Sequence, residues 1–552
     1  MSTPDTTPAH GSSAVPAGAA PAVEGLRRSA AWFVGRGAPF TVLLLLLWSA
    51  YLRTRNIDAP FWIDEGISVG VAHFPFADIP DALRLDGNPP VYYLLLHVWL
   101  RLFGDSVAAA HSLSTVFALA AVPGVFLLAR RPLGPGVALG ATALAATLPY
   151  LTYFGQETRM YSMVAFLSVI VAGLHLRLFD AGARRVQVAL ALVLIVLLYT
   201  HTWGVFLVGG SVMAVGARAL MQPDRAGRLR VVRIGFLVHL AAAVAWAPWI
   251  PILAKQASET GAPWSLRPTF TMLLEAVGSV VQPQIPAVVL LCTAVFGATV
   301  IAGSARGQVR GVNVAPRDEA HALRRHALVL VVMLVSTMLF AWFASLVSPA
   351  WANRYMGVAV GPVVLLGGIL LTRTGRAPLV VLLVLVGLWG TSTQGDRLRD
   401  KATPEALVKA TAPELRRGDL VVSIHPEQLP VIAYGLQHRG VADGVRYATA
   451  LGRQEDVRIF DWRRGLDRMK AAEPWVVADR LIRAQRPGSS VLLVLPVISR
   501  GNWSGPWTKL VADNTKAWRA LLQADPRLRM VGRRPVIGPA QGVFGVLFTV
   551  RP

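Results

Sequence analysis

The 552-residue chain is 54% hydrophobic and only 15% charged, with a mean hydropathy of +0.50. Soluble domains carry about 25% charged residues, so the composition favours a membrane protein before any motif is read. Its formal charge of +23, nearly all from arginine, asks for either an anionic partner or loops that obey the positive-inside rule. The single cysteine, Cys292, lies in an apolar run and excludes both an intramolecular disulfide and a cysteine-based metal site.

Residues 1–24 are rich in Pro, Ala, Ser and Thr, lack large apolar side chains and are expected to form a disordered cytoplasmic tail. Arg27, Arg28 and Arg36 precede the apolar run Ala38–Leu52. Ser49-Ala50-Tyr51 is a poor cleavage site and Arg53 and Arg55 follow, so this run reads as an uncleaved anchor with its N-terminus in the cytoplasm. Further runs of spanning length lie near 107–129, 133–153, 160–179, 186–200, 203–220, 231–253, 285–303, 327–347, 355–372 and 377–393, about eleven spans in all. The stretch from Pro89 to Phe103 is short for a span and carries His97 and Arg101 one helical turn apart. It reads as a helix lying on the membrane surface.

That choice sets the topology. Arg130-Arg131, Arg184-Arg185, the Arg218–Arg233 stretch, the Arg306–Arg325 loop and Arg373/Arg376 then share the cytoplasmic side. Much of the charge is therefore topological, and no nucleic-acid partner is expected. The outer face receives the loop 53–106, the Gly155–Arg159 turn, His201, the loop 254–284 and Pro349–Tyr355, which are the polar, motif-like places in the chain. Beyond Thr393, short β-type runs (Leu420–Ile424, Val491–Ile498, Val543–Val550) alternate with mixed-charge helical stretches near 403–417, 455–471 and 514–524. These predict a soluble α/β domain outside the membrane. It contains no phosphate-binding glycine loop, zinc spacing or nucleophile elbow.

The candidate chemistry lies on that outer face. Asp64 and Glu65 follow Phe61-Trp62, whose rings suit the membrane interface; carboxylates beside hydrocarbon are costly unless paired, wet or useful. An acidic pair that only fixes the loop is the alternative. Glu157 and Arg159 sit in Gln156-Glu157-Thr158-Arg159-Met160-Tyr161, as substrate ligands or as a pair neutralising each other. Asp86-Gly87-Asn88-Pro89-Pro90 opens the surface helix with good cap chemistry. His201 lies where a span meets the outer surface. Arg354-Tyr355 runs against the positive-inside trend, which suits an external anion, with snorkelling to lipid headgroups as the competing reading.

Together, the Asp-Glu of the first external loop, D-x-N-P-P-x-Y-Y-L-L-L with its later L-F-G, Q-E-x-R-M-Y, Thr200-His201-Thr202-Trp203-Gly204 and Asn353-Arg354-Tyr355 resemble the GT-C superfamily of polytopic glycosyltransferases. The branch is that of bacterial Rgt-type sugar transferases, lipid A aminoarabinose transferases and protein O-mannosyltransferases, and the resemblance covers about residues 38–375. Many relatives have His where this chain has Asn88.

The resemblance implies the GT-C fold over residues 25–395 and an extracytoplasmic domain at 396–552 of a multi-pass protein of the bacterial plasma membrane. It also implies inverting transfer from a polyprenyl-monophosphate sugar donor to a glycan, glycolipid or protein acceptor. Asp64 is implied as the base. Glu65, Asn88, Glu157 and His201 are assigned to the acceptor or sugar, and Arg354 with Tyr355, and Arg159 second, to the lipid phosphate. Oxygen ligands of the external acids would suit a divalent cation, which that branch commonly does without, and no cofactor is assigned. A lipid or glycan flippase and a catalytically inactive scaffold are the alternatives; the chain lacks the internal repeats of many transporters.

Overall fold

The computed structural model describes residues 35–180, 182–281, 317–373, 376–391, 396–399, 404–441, 444–498, 503, 505–534 and 542–552. The expected tail at 1–24, the apolar run 285–303, Cys292 and most of the Arg306–Arg325 loop lie outside these. Every other apolar run becomes helix: Ala38–Thr54, Val107–Ala129, Pro135–Thr147 with Pro149–Phe154, Tyr161–Arg177, Arg184–Leu198, Gly204–Leu220, Arg225–Trp246, Arg317–Val347, Gly357–Arg373 and Arg376–Gly390. Among the described residues, four helical stretches are long and apolar enough to cross a membrane: Val107–Ala129, Arg225–Glu259, His321–Val347 and Asn353–Thr372. Their outward side chains are apolar too, with Leu237, Val244 and Phe343 more than half exposed. Such a surface suits lipid rather than water.

The helices pack with few polar devices. The guanidinium of Arg53, wholly buried, donates to the carbonyls of Ala118 (2.7 Å) and Ala145 (2.6 Å). It thereby ties the first helix to the Val107–Ala129 and Pro135–Thr147 helices. Buried polar groups are tolerated when satisfied in this way.

The loop 53–106 is itself helical. Ile63–Ala72, Ile79–Asp86 and Val91–Phe103 follow one another, with a short 3-10 turn at Phe76–Asp78. Gly87 ends the Ile79–Asp86 helix at φ +95°, a left-handed conformation that favours glycine, and its N–H caps the Leu83 carbonyl. The expected surface helix forms over 13 residues. It buries Tyr92, Tyr93, Leu96, His97 and Leu100 and leaves Arg101 exposed.

Residues 404–552 build a six-stranded mixed sheet in the order β3-β2-β1-β4-β6-β5, with β1 Leu420–Ser423, β2 Arg446–Thr449, β3 Gly452–Gln454, β4 Ser490–Pro496, β5 Leu528–Arg534 and β6 Val543–Val550. β1 runs parallel to both β2 and β4, while the remaining pairings are antiparallel. The three strands expected from sequence are present. β2, β3 and β5 are additional, and within 455–471 only Gly465–Ala471 is helical, because Asp456 and Asp461 fold the preceding segment into turns closed by Arg458 and Arg463.

This sheet region is docked on the helices of the loop 53–106. The Leu429–Gln437 helix packs on Ile63–Ala72, so closely that a β-carbon on Gly66 would lie 2.6 Å from that of Val431; on the same helix a β-carbon on Gly70 would strike the carbonyl of Arg458, from a separate segment of the sheet region. Backbone hydrogen bonds from Trp462 to Leu85 (2.9 Å) and from Trp507 to Pro263 (3.2 Å) extend the contact. The carboxyl ends of β1 and β4 thereby come to lie over the helix ends.

Candidate active site

One cavity of about 400 Å³ opens between the helix ends and the sheet region. Asp64, Asp86, Asn88, Arg159, His201, Arg354 and Tyr355 line its helical side; Glu65 and Glu157 do not.

Asp64 and Glu65 are adjacent at the start of the Ile63–Ala72 helix, and the helical turn of about 100° per residue sends them in different directions. Glu65 is wholly buried. Its Oε1 accepts from the Thr158 backbone N–H (2.7 Å) and pairs with His111 Nε2 (2.6 Å), and its Oε2 accepts from the Trp62 N–H (3.2 Å) at the helix start. Glu65 therefore joins three separate segments. Asp64 remains 18% exposed on the cavity, with Oδ2 3.9 Å from Arg354 Nε.

Arg159 rises from the turn before the Tyr161–Arg177 helix. Its Nη1 donates to Ser68 Oγ (3.1 Å), Tyr93 Oη (3.1 Å) and the Asp64 carbonyl (3.3 Å). Burial works against its charge, but Tyr93, Tyr161, Asp64 and Asp86 outweigh that and hold its proton well above the ordinary guanidinium value. Arg354 stands at the start of the Asn353–Thr372 stretch, beside Asp64. Its guanidinium also lies 5.2 Å from the Tyr355 ring and 5.9 Å from that of Trp62. Two cations thus lie beside Asp64 on the helical side of the cavity, which the Asp86 carboxyl also lines.

His201 sits in the break between two apolar helices, its ring 4.9 Å from that of Tyr355. Burial, with Arg159 and Arg354 adding to it, lowers its pKa to about 3, so the ring is neutral. Its Nδ1 accepts the backbone N–H of Trp203 (3.0 Å), which places the ring proton on Nε2. Asp86 is half-buried and hydrogen-bonded by Asn88 Nδ2 (2.5 Å). Burial raises its carboxyl pKa against the lowering effects of Arg159 and Asn88, with Asp64 raising it further. Among the described residues no group of three or more His, Cys, Asp or Glu is arranged to hold a metal ion.

The opposite side of the cavity was not read from sequence. His425, Glu427, Gln428, Trp462, Trp503 and Trp507 line it, together with Trp264 and Gln256. The visible signal was His425-Pro426-Glu427 just beyond β1. Ligands in sheets with parallel strands gather outside the strands' carboxyl ends, and here β1 and β4 run parallel. Burial pushes the Glu427 carboxyl up to about 8, with Asp64 and Asp86 adding to it and Trp507 and Arg354 opposing. Burial likewise lowers His425 to about 4. At neutral pH both are mainly uncharged.

This arrangement of helices, loop helices and sheet has known counterparts. The chain aligns with ArnT from Cupriavidus metallidurans bound to undecaprenyl phosphate over 92% of its own length and 97% of that chain, at a TM-score of 0.56 and 14% identity. At that identity the likeness shows a shared fold: this chain is built on the fold of that ArnT. Arabinofuranosyltransferase AftD from Mycobacteria also aligns (94% of this chain, 40% of that chain, 14% identity, TM-score 0.46), as does the Archaeoglobus fulgidus oligosaccharyltransferase tethered with an acceptor peptide (94% and 74%, 12% identity, TM-score 0.48). The fold assignment does not rest on these two. No family model matches the sequence, and no curated protein does.

Proposed function

We propose that this protein is an inverting glycosyltransferase that moves a sugar from a polyprenyl-monophosphate donor to a cell-envelope acceptor at the outer face of a bacterial plasma membrane. In this reading about eleven spans keep residues 1–24 in the cytoplasm and residues 396–552 outside. The observation that carries it is a cavity-facing carboxylate, Asp64, beside two guanidinium groups: Arg354 against its Oδ2 and Arg159 on its backbone carbonyl. The undecaprenyl phosphate bound to ArnT, which shares the fold, supports a lipid-phosphate donor.

The chemistry follows. Asp64 takes the proton from the acceptor hydroxyl as that oxygen bonds to the anomeric carbon from the face opposite the donor phosphate. The bond from that carbon to the phosphate oxygen breaks, and the electron pair leaves with polyprenyl phosphate. Phosphate is a good leaving group and needs no acid. It gains negative charge, which Arg354 and then Arg159 neutralise with forked contacts. His201 donates from Nε2, and Asn88 and Tyr355 hold sugar or phosphate oxygens. Glu65, through His111 and the Thr158 N–H, is a positioning group that keeps Asp64 and the Arg159 turn in place.

Asp64→Asn should abolish release of polyprenyl phosphate from a polyprenyl-phosphate-sugar donor while leaving thermal stability unchanged. Near-normal turnover in that variant would refute the assignment. A flippase would move the donor without releasing the lipid phosphate, and a scaffold would do neither.

A further inference from the structure

The reaction above uses the helical wall of the cavity and leaves the sheet-side wall without a role. That wall is aromatic. Trp264 stacks edge-on against Trp462 (ring centroids 4.9 Å, 60°), and Trp462 lies 4.7 Å from Trp507. Trp462 and Trp507 are buried and hold the stack in place, while Trp264 and Trp503 remain half-buried at the cavity. The loop carrying Trp264 is fixed by the Trp507 N–H bonded to the Pro263 carbonyl.

The wall is also polar in an unusual way. Gln256, His425 and Gln428 are each more than nine-tenths buried, yet Gln256 Oε1, His425 Nδ1 and Gln428 Oε1 have no hydrogen-bond partner among the described residues. Each such atom costs about 1–3 kcal/mol unless a ligand or water satisfies it. Glu427 Oε2 accepts from Trp507 Nε1 (3.0 Å) and lies 3.3 Å from His425 Nε2.

An aromatic plane beside several small polar groups matches one kind of molecule. A sugar ring presents an apolar C–H face to an indole, and its edge carries hydroxyls that both donate and accept. A serine or threonine side chain offers one hydroxyl, and a lipid tail none. We propose that this wall is the acceptor subsite and that it takes a sugar ring bearing several free hydroxyls, so that the acceptor is a glycan or glycolipid rather than a polypeptide. The ring stacks on Trp264. Its hydroxyls satisfy Gln256, Gln428 and Glu427, and one of them is presented towards Asp64 on the facing wall. This inference rests on the glycosyl-transfer reading and specifies its acceptor.

The test uses the full-length protein in nanodiscs free of glycoside detergents, with saturation-transfer NMR. The probes are methyl α-mannopyranoside, methyl α-glucopyranoside, methyl α-arabinofuranoside and a threonine-containing tetrapeptide amide. At least one glycoside should bind saturably. Trp264→Ala and Gln428→Leu should each weaken it at least tenfold. Trp264→Phe, which keeps an aromatic face, should retain most of the binding and guards against a folding defect. Absence of any saturable glycoside, binding of the peptide alone, or unchanged binding in both wall variants would overturn the proposal. Undecaprenyl phosphate is titrated in parallel, read by thermal shift. If it stabilises the wild type and not Arg354→Ala, the donor reading stands even where the sugar subsite fails; if it stabilises neither, the donor reading falls separately.

Discussion

Replacement of Arg354 by Ala isolates the electrostatic part of the proposed mechanism. The guanidinium Nε lies 3.9 Å from Asp64 Oδ2 at the cavity wall. Two unit charges about 4 Å apart interact by about 4 kcal/mol at the effective dielectric of roughly 20 that suits such a position. As the donor bond breaks, the phosphate gains up to one unit of negative charge, so an arginine at comparable range stabilises the transition state by about that amount. Arg159 remains in the variant and takes part of the load, leaving a net loss of about 2–4 kcal/mol. That corresponds to roughly a thirtyfold to thousandfold fall in kcat. The fold should survive, because the residue's structural tie is its backbone carbonyl, which accepts from Tyr150 Oη (2.5 Å) and is untouched by the substitution. The assay is single-turnover release of polyprenyl phosphate in nanodiscs, with thermal stability measured alongside. Arg354→Lys keeps the charge but loses the forked geometry, and should recover most of the rate while remaining below wild type. An Arg354→Ala enzyme within threefold of the wild-type rate would refute the reasoning.

Three other outcomes are expected. Glu65→Ala should destabilise the protein by several kcal/mol, since it strands the Thr158 N–H and His111 in a buried site, whereas Asp64→Asn should leave melting unchanged; equal effects on stability would remove the division of labour between the two acids. Gly66→Val or Gly70→Val should loosen the sheet region from the Ile63–Ala72 helix, at about 1–3 kcal/mol for overpacking, and show as a lower melting temperature; an unchanged melting temperature would contradict the close packing. Glu427, raised from 4.5 to about 8, binds more protons folded than unfolded, so its stabilising contribution is complete below pH 4.5 and is lost as pH rises through about 8. Glu427→Gln should therefore flatten the fall in melting temperature between pH 5 and 9, and an unchanged slope would contradict that shift.

Much of the site was legible because its residue types are out of place where they stand. Carboxylates at Asp64 and Glu65, arginines at Arg159 and Arg354 and a histidine at His201 all interrupt apolar runs, where each costs energy without a partner. Only the family resemblance separated Asp64 from Glu65 at the level of sequence, because adjacency says nothing about which side chain turns inward. The helical turn and the partners His111 and Thr158, distant in sequence, decide that. Nor could the sequence show that Asn88 and Asp86 line the cavity while Glu157 does not.

The helical elements followed from the chain itself: apolar length, proline and glycine punctuation and arginine clusters are local properties. The sheet order, and with it the second wall of the cavity, did not. β1 pairs with β2 and β4 across long intervening stretches, and the docking of Leu429–Gln437 on Gly66 and of Arg458 on Gly70 joins segments more than 350 residues apart. Contacts of that range depend on shape complementarity between surfaces that no local pattern encodes. Only the tertiary structure could therefore bring His425, Glu427 and the tryptophans of the sheet region over Asp64.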